Sequence, residues 1–245
     1  MRQNLAAYLI AGAAIVFLWE IAARLANLPI IPEPAEVLLR LPIVGQEIAL
    51  HAAHSLWRIF AGLGLAVLVG YPAGIMLGYF PRLRKFFSPV IYLAYPVPKI
   101  ALLPILMLLM GVGEGAKIAM IFLIILFQVV IAVRDSIGAI KPEYYYALYT
   151  LGADFVDICR EVLVPASLPH FLTAVRVAMA TAISVLFFTE TFGTKYGMGY
   201  FIMDAWLRVN YADMYAGILV LSAMGLMLFA LLDFAESRLC RWRND

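Results

Sequence analysis

The sequence predicts an all-α polytopic membrane protein with about six transmembrane helices and a structured cytoplasmic loop between the fourth and the fifth. Two observations support the membrane assignment: the composition and the number of long apolar stretches. Hydrophobic residues make up 64% of the 245 residues, and charged residues make up only 14%. Soluble domains usually carry about 25% charged residues. Much of the surface of this chain must therefore face lipid rather than water.

Six apolar stretches are long enough to cross a bilayer, which requires about 20 mostly apolar residues in a helix. They are Ala6–Leu25, Leu56–Tyr79, Val90–Met110, Ala116–Ile137, Phe171–Phe192 and Met214–Phe234. The first is longer than the apolar core of a secretory signal, which is about 7–15 residues, and no clear cleavage site follows it. We therefore expect a retained helix, followed by the Pro-rich segment that begins at Asn27.

The basic residues favour an orientation with both termini in the cytoplasm. In that orientation ten Lys and Arg residues lie at the inner ends of the spans and six at the outer ends. The inner set is Arg2, Arg82, Arg84, Lys85, Arg134, Lys141, Arg160, Arg238, Arg241 and Arg243. The outer set is Arg24, Arg40, Arg58, Lys117, Lys195 and Arg208.

The cysteines and histidines do not form a recognisable metal or redox site. Cys159 and Cys240 are isolated from each other and from any CxxC pattern. His51 and His54 share a helix face, but two ligands make a poor metal site, and we interpret both as interfacial polar residues. The chain has no Walker A motif, so it is not expected to be an ATPase. The formal net charge of +2 gives no indication of nucleic-acid binding.

The longest predicted inner loop, residues 143–168, has the pattern of a helix, a glycine bend and a second amphipathic helix. Gly152 permits a sharp change of direction, after which apolar residues recur on one helical face. The apolar set is Phe155, Ile158, Cys159, Val162 and Leu163, and the charged set on the other faces is Asp154, Asp157, Arg160 and Glu161. Pro165 and Pro169 are predicted to end this helix and to start the next span. Such a loop either presents a rigid surface to a cytoplasmic partner or lies on the lipid headgroups.

The same loop resembles the EAA loop of binding-protein-dependent ABC importer permeases. In this sequence Tyr146-Ala147-Leu148 occupies the Glu-Ala-Ala positions, Gly152 the glycine, and Val162–Pro169 the closing apolar stretch with Leu-Pro. Further motifs extend the resemblance over most of the chain: Ser55-Leu-Trp-Arg58, Pro98–Pro104, Thr189–Gly193 and Gly197–Ile202. Together these motifs look like the branch of the family that serves nitrate, sulfonate, taurine and related small solutes.

The resemblance implies a type I ABC importer permease fold in the plasma (inner) membrane of a bacterium or an archaeon. Residues 1–49 would form an N-terminal transmembrane helix and a periplasmic segment, and residues 50–240 the permease core. The chain would form the translocation pathway with a second permease copy, as a homodimer. Two separate ATPase subunits would bind the 143–168 loops and carry ATP and Mg²⁺, so this chain would bind no cofactor itself. A soluble binding protein would deliver the solute.

Carried over by the resemblance, the ATPase-coupling residues are Glu143, Tyr146, Ala147, Gly152, Ala153, Asp154, Asp157 and Pro165. Tyr146 departs from the family pattern, in which an acidic residue occupies this position and helps to fix the loop against the ATPase. Glu143 lies one helical turn earlier, where its carboxylate would reach a similar face. The alternative is a solvated Glu143 beside Lys141.

Charged and aromatic residues within the predicted spans are candidates for the translocation pathway, since a charge in hydrocarbon is costly. The candidates are Tyr95, Lys99, Arg176, Phe187 and Glu190. Glu190 is compatible with a gate, a solute contact or an ordinary interfacial carboxylate. Arg176 either lines the pathway, snorkels to the interface or forms a structural pair. The aromatic residues either line the pathway or face lipid and neighbouring helices.

The third span contains three prolines, Pro96, Pro98 and Pro104. Irregular backbone at membrane depth requires cover from protein or a water-filled cavity, which places Lys99 near the centre of the subunit. Glu20 and Arg24, four residues apart in the first span, are expected to pair. An ion-gradient-driven secondary transporter is the alternative function, but it would show an internal repeat, and none is evident. A membrane scaffold without transport activity would not explain the Pro-interrupted span.

Overall fold

The computed structural model describes residues 2–241, and this part of the chain is helical and contains no strand. The predicted all-α class is confirmed. Arg243 and the side chain of Arg2, which both count toward the predicted orientation, lie outside the described residues. The helices are α1 (Arg2–Ala26), α2 (Pro34–Tyr79), α3 (Pro81–Ala94), α4 (Leu103–Met110), α5 (Glu114–Gly138), α6 (Pro142–Thr150), α7 (Phe155–Ile158), α8 (Val164–Glu190), α9 (Met198–Leu207) and α10 (Tyr211–Leu239).

Among the described residues, five helical segments are long and apolar enough to cross a membrane, or six if the bent pair of α3 and the segment through α4 is one span. The predicted number of spans agrees with the second count. The helix that contains the second predicted span is longer than the span itself, because α2 begins at Pro34 rather than near Leu56 and is 46 residues long. Glu36, Arg40 and Glu47 interrupt the apolar pattern of its first half, so a search for apolar stretches does not detect this part of the helix.

The chain divides into two compact units. The first comprises Met1–Ser55 and Thr194–Met224, and the second comprises Leu56–Gly193 and Gly225–Asp245. In the first unit, the indole of Trp19 stacks on Tyr215 with 5.5 Å between ring centroids. The guanidinium of Arg40 donates to both carboxylate oxygens of Asp213, at 2.8 and 3.0 Å. These contacts connect α1 and α2 to the first part of α10.

The core of the second unit is formed mainly by α5, α8 and the later part of α2. A row of glycines on α2 allows this helix to approach α5 closely, as small residues do in membrane helix pairs. A Cβ atom on Gly62 would lie 2.6 Å from Ile121, and one on Gly74 or Gly78 would lie 2.7 Å from the facing side chain of α5. This close packing determines where the end of α2 meets the 143–168 loop.

The third predicted span is not a continuous helix. After α3 ends at Ala94, the chain continues in a 3₁₀ turn, Lys99–Leu102, and then in α4, and the two helical parts differ in direction by 83°. Pro96 and Pro98 cause the break, because proline has no amide hydrogen to donate and disfavours the α conformation in the residue before it. The irregular backbone predicted at the prolines of the third span is therefore confirmed.

The amphipathic helix after Gly152 was predicted to stop at Pro165 and Pro169, and this prediction is wrong. Instead α7 continues through a π turn, Cys159–Leu163, directly into α8. In the π turn the amide of Val164 donates to the carbonyl oxygen of Cys159. Pro165 closely follows this π turn, and Pro169 lies inside α8. The result is one helical rod from Phe155 to Glu190.

Candidate functional site

The bend at Gly152 is a Schellman motif at the end of α6. The amide of Ala153 donates to the carbonyl of Leu148, and the amide of Gly152 donates to that of Tyr149, each at 3.1 Å. Gly152 has a φ of +77°, which glycine adopts without steric cost. The predicted change of direction is confirmed, and its hydrogen bonds show that the bend is well defined.

The second helix of the loop begins with a capping box. The carboxylate of Asp154 accepts hydrogen bonds from the amides of Val156 at 2.8 Å and Asp157 at 2.9 Å, while that of Asp157 accepts from the amide of Asp154 at 3.1 Å. Such reciprocal bonds satisfy two amide groups that have no partner within the helix. Asp154 and Asp157 therefore have a structural role as well as exposed carboxylates.

An aromatic cluster holds the loop against the end of α2. The hydroxyl groups of Tyr79 and Tyr149 are 2.8 Å apart, and the rings of Tyr79 and Phe80 lie 5.2 and 5.3 Å from that of Phe155. Tyr145 also packs on Tyr79. The pKa of Tyr145 is raised, mainly because its hydroxyl is buried and secondly because Tyr149 is close. Ile158 and Leu163 are buried as the helical pattern predicted. The loop is thus anchored on one side only.

The other side of the loop is exposed and largely apolar. Leu151 is 82% exposed, Val156 68% and Tyr146 63%. Glu143 and Ala147 are also exposed, whereas Ala153 and Pro165 are half-buried. Within residues 2–241 the carboxylate of Glu143 takes part in no hydrogen bond or salt bridge, so it is available to a partner. The loop therefore presents a rigid apolar surface with acidic groups along it.

A buried ion cluster lies at the end of the second unit away from this loop. Arg58 donates to both carboxylate oxygens of Glu114, at 2.6 and 2.5 Å, and to Glu190 at 2.5 Å. The side chains of Arg58 and Glu190 are fully buried, and that of Glu114 is about half exposed. The cluster joins the middle of α2 to the start of α5 and the end of α8. Arg58 was counted among the basic residues at the outer ends of the spans, and the structure shows that its side chain is buried within the protein.

Lys117, another basic residue of the predicted outer set, is buried on α5. Its ammonium donates to the carbonyl oxygens of Val112 and Gly113, at 2.7 and 3.2 Å. Glu190, for which a gate, a solute contact and an interfacial carboxylate were the alternatives, is fully buried against Arg58. Since α5 and α8 lead from this cluster to the two ends of the 143–168 loop, both sites are connected by the same pair of helices.

The remaining predicted pathway residues have different surroundings. Arg176 donates to Asp233 and, at 2.8 Å, to Glu236, which connects α8 to the end of α10. These contacts correspond to the structural pair, which was one of the three alternatives for Arg176. Tyr95 and Lys99 line a cavity of about 390 Å³. Phe187 is half-buried on α8 and is absent from the lining of that cavity. The expected pair of Glu20 and Arg24 is present.

Two features were not detected by sequence reasoning. The partners of Arg58 are distant in sequence, and the Trp-Arg dipeptide at the start of an apolar stretch was the available signal. His51 was interpreted as interfacial, but it is buried, its Nδ1 accepts a hydrogen bond from the amide of Gly197 at 3.0 Å, and its ring stacks on Tyr200. Ser55, one turn later, accepts from the amide of Met198 at 2.8 Å. These bonds hold the start of α9 in the first unit.

Comparison with known families identifies one that matches most of the chain. Residues 70–241 match the family described as the binding-protein-dependent transport system inner membrane component. The taurine transport system permease protein TauC of Escherichia coli is 30% identical over 235 residues, covering 93% of this chain and 86% of that protein. The formylaminopyrimidine transport permease protein ThiX of Halalkalibacterium halodurans is 27% identical over 232 residues, covering 94% and 93%.

A similar fold occurs in a solved structure of the MetNI methionine ABC transporter in inward-facing conformations. That chain is 20% identical in sequence, with a TM-score of 0.63, and the match covers 78% of this chain and 93% of that one. The predicted type I permease fold and the predicted family resemblance are confirmed by these matches. They favour an ABC permease over the alternative of an ion-driven secondary transporter.

Proposed function

Since the chain belongs to the family of inner membrane components of binding-protein-dependent transport systems, it is a multi-pass ABC importer permease subunit, and we propose that it forms the translocation pathway for a small solute. One relative is named for taurine and another for formylaminopyrimidine. We propose a solute of the nitrate, sulfonate or taurine type, delivered by a soluble binding protein outside the membrane.

The exposed apolar surface of the 143–168 loop is the observation that best supports a role in coupling the permease to an ATPase. Large apolar side chains exposed on a rigid support are typical of a protein interaction site. The exposed charges on the loop include Glu143, Asp154 and Asp157, and the cytoplasmic face of a membrane is itself negative. The charge therefore disfavours the alternative that the loop lies on headgroups. We propose that an ATPase subunit binds this surface.

The rest of the assembly follows as part of the same proposal. Two copies of this chain would form a homodimer around the pathway, and two ATPase subunits would each bind one loop. ATP and Mg²⁺ would reside on the ATPase subunits, since this sequence has no Walker A motif. The loop would lie in the cytoplasm, with both termini of the chain on that side, in agreement with the distribution of Lys and Arg.

The geometry supports a path for mechanical coupling. A displacement of the loop acts directly on α8, because no loop interrupts the helical segment from Phe155 to Glu190. The ion cluster of Arg58, Glu114 and Glu190 ties the far end of this rod to α5 and α2. We propose that ATP-driven movement of the loop is transmitted along this rod to the opposite end of the pathway.

Substitution on the apolar surface tests the docking proposal. The chain would be purified with a tag from the membranes of its own cells, and ATPase subunits would be identified by mass spectrometry and ATP hydrolysis. The double variant Leu151→Asp with Val156→Asp should lose the ATPase while the permease remains folded. Leu207→Asp is the matched control, because Leu207 is similarly exposed but lies elsewhere. Retention of the ATPase by the double variant would contradict the proposal.

A second substitution tests whether Glu143 takes over the role of the acidic residue that is absent at Tyr146. Glu143→Gln removes the charge and leaves the shape of the side chain nearly unchanged. In proteoliposomes with ATPase and binding protein, this variant should hydrolyse ATP but accumulate less solute per ATP. Glu161→Gln, which changes another exposed glutamate of the same loop, is the control. Unchanged coupling in Glu143→Gln would exclude this role.

A further inference from the structure

Polar side chains from three helical segments of the second unit converge on one cavity. The cavity has a volume of about 390 Å³, and its lining includes Tyr95, Lys99, Phe127, Gln128, Thr181 and Val185. Gln128 lies near the middle of α5, and Thr181 lies near the middle of α8. Since both helices are long enough to span a membrane, the cavity lies at membrane depth.

Lys99 is held in this cavity by the end of α3. Its ammonium donates to the carbonyl oxygens of Tyr95 and, at 3.3 Å, of Ala94. Carbonyls at the end of a helix lack helical partners and carry partial negative charge, so they stabilise the cation. The ammonium also lies 5.0 Å from the ring centre of Tyr95 and 4.9 Å from that of Phe127. An ammonium has three N–H groups, and these bonds leave one for a ligand.

Gln128 provides a second, independent observation. Its amide makes no hydrogen bond to any residue within 2–241, although the side chain is half-buried in a membrane-spanning helix. An amide without a partner at membrane depth is costly unless water or a ligand in the cavity supplies one. The hydroxyl of Thr181 lies on the same cavity and donates only a long bond, 3.5 Å, to the carbonyl of Val177. The amide of Gln128 and the hydroxyl of Thr181 therefore offer hydrogen-bond donors and acceptors to a molecule in the cavity.

We propose that this cavity binds the anionic group of a small organic solute during its passage; the inference rests on the transport function proposed above. Lys99 supplies the positive charge, and Gln128 and Thr181 supply hydrogen bonds. The lining contains no carboxylate among the described residues, so a cationic group on the solute has no counter-ion there. The walls contributed by Phe127 and Val185 suit an alkyl body. The preferred class is therefore an aliphatic monoanion, such as an alkanesulfonate, rather than an amine.

Saturation-transfer NMR tests the site with 1-butanesulfonate as the probe. The full chain would be placed in nanodiscs of zwitterionic phosphatidylcholine, without binding protein, so that signals report the permease. We expect saturable transfer to the butyl protons of 1-butanesulfonate and none to those of 1-butylamine. Lys99→Gln should weaken the apparent affinity about tenfold or more, because a charge-assisted contact is lost. Lys85→Gln, which changes a lysine of a different cavity, should leave it unchanged.

A second variant guards against a folding defect in Lys99→Gln. Gln128→Leu removes an amide that has no protein partner, so the fold should be kept while the affinity falls severalfold. Equal binding by wild type and both variants, or equal signals from 1-butylamine, would overturn the inference. The ATPase co-purification described above is independent of this assay. A chain that co-purifies with its ATPase but binds no sulfonate would refute the site alone. A chain that binds the sulfonate but does not co-purify with an ATPase would refute the coupling role.

Discussion

Removal of Arg58 should destabilise the protein strongly, because its guanidinium neutralises a carboxylate that has no access to water. Arg58→Met removes the guanidinium that pairs with the fully buried carboxylate of Glu190. Breaking a buried ion pair from one side costs about 3–5 kcal/mol. Glu190→Met is expected to cost less, about 1–3 kcal/mol, since Arg58 keeps its two bonds to Glu114.

The double variant distinguishes this reasoning from a general packing effect. With both Arg58 and Glu190 replaced by Met, neither member of the pair leaves the other buried alone, and Glu114 is about half exposed and can be hydrated. Replacement of a buried pair by apolar residues is often close to neutral. The double variant should therefore be more stable than the sum of the single changes predicts, by about 2 kcal/mol or more.

The midpoint of SDS-induced unfolding in mixed micelles, followed by tryptophan fluorescence, measures these differences. The matched control is the pair of Glu20 and Arg24, which is separated by one helical turn and has an exposed Arg24 side chain. Such a pair contributes about 0.3–0.5 kcal/mol, so its disruption should shift the midpoint only slightly. The argument would be refuted if the destabilisations by Arg58→Met and Glu190→Met were additive in the double variant. It would also be refuted if Arg58→Met shifted the unfolding midpoint no more than disruption of the control pair does.

Three further predictions concern packing, capping and the pathway. Gly62→Ala should destabilise the protein by about 1–3 kcal/mol, because the added Cβ overlaps with Ile121. Gly64→Ala on the same helix should be neutral or slightly stabilising, because a Cβ there meets open space. Equal midpoints of SDS-induced unfolding for the two variants would contradict the close packing of α2 on α5. Asp154→Ala should cost about 1 kcal/mol and speed amide exchange over 155–158, as measured by hydrogen–deuterium exchange, while Glu161→Ala should not. Arg176→Gln should cost about 1 kcal/mol or less, because Arg176 and Asp233 are partly exposed, and should preserve uptake in proteoliposomes. Loss of uptake by a folded Arg176→Gln protein would instead support a pathway role.

Local patterns predicted local structure well. Gly152, with its neighbours, predicted a bend that the structure shows as a Schellman motif, because this motif depends on a few adjacent residues. The alternation of apolar and charged residues after it correctly separated buried Ile158 and Leu163 from exposed Asp157 and Glu161. Pro96 and Pro98 likewise predicted irregular backbone in the third span.

The failures have a common physical origin. Hydropathy detects lipid exposure, so it did not detect the first half of α2, where Arg40 pairs with Asp213 rather than facing lipid. Proline was taken as a helix stop at Pro165, but a preceding π turn allows the helix to continue. In both cases a contact or a turn supplied what the local pattern lacked.

The sequence by itself determined that this chain lies in a membrane, that it contains about six apolar spans and that a bent, amphipathic loop lies between two of them. These properties depend on transfer free energies and backbone preferences, which act over a few residues at a time. The tertiary structure alone decided that Arg58 joins Glu114 and Glu190, and that Lys99, Gln128 and Thr181 share a cavity. Such groups come together only when helices pack, because the free energy of a buried charge depends on partners that are distant in the chain.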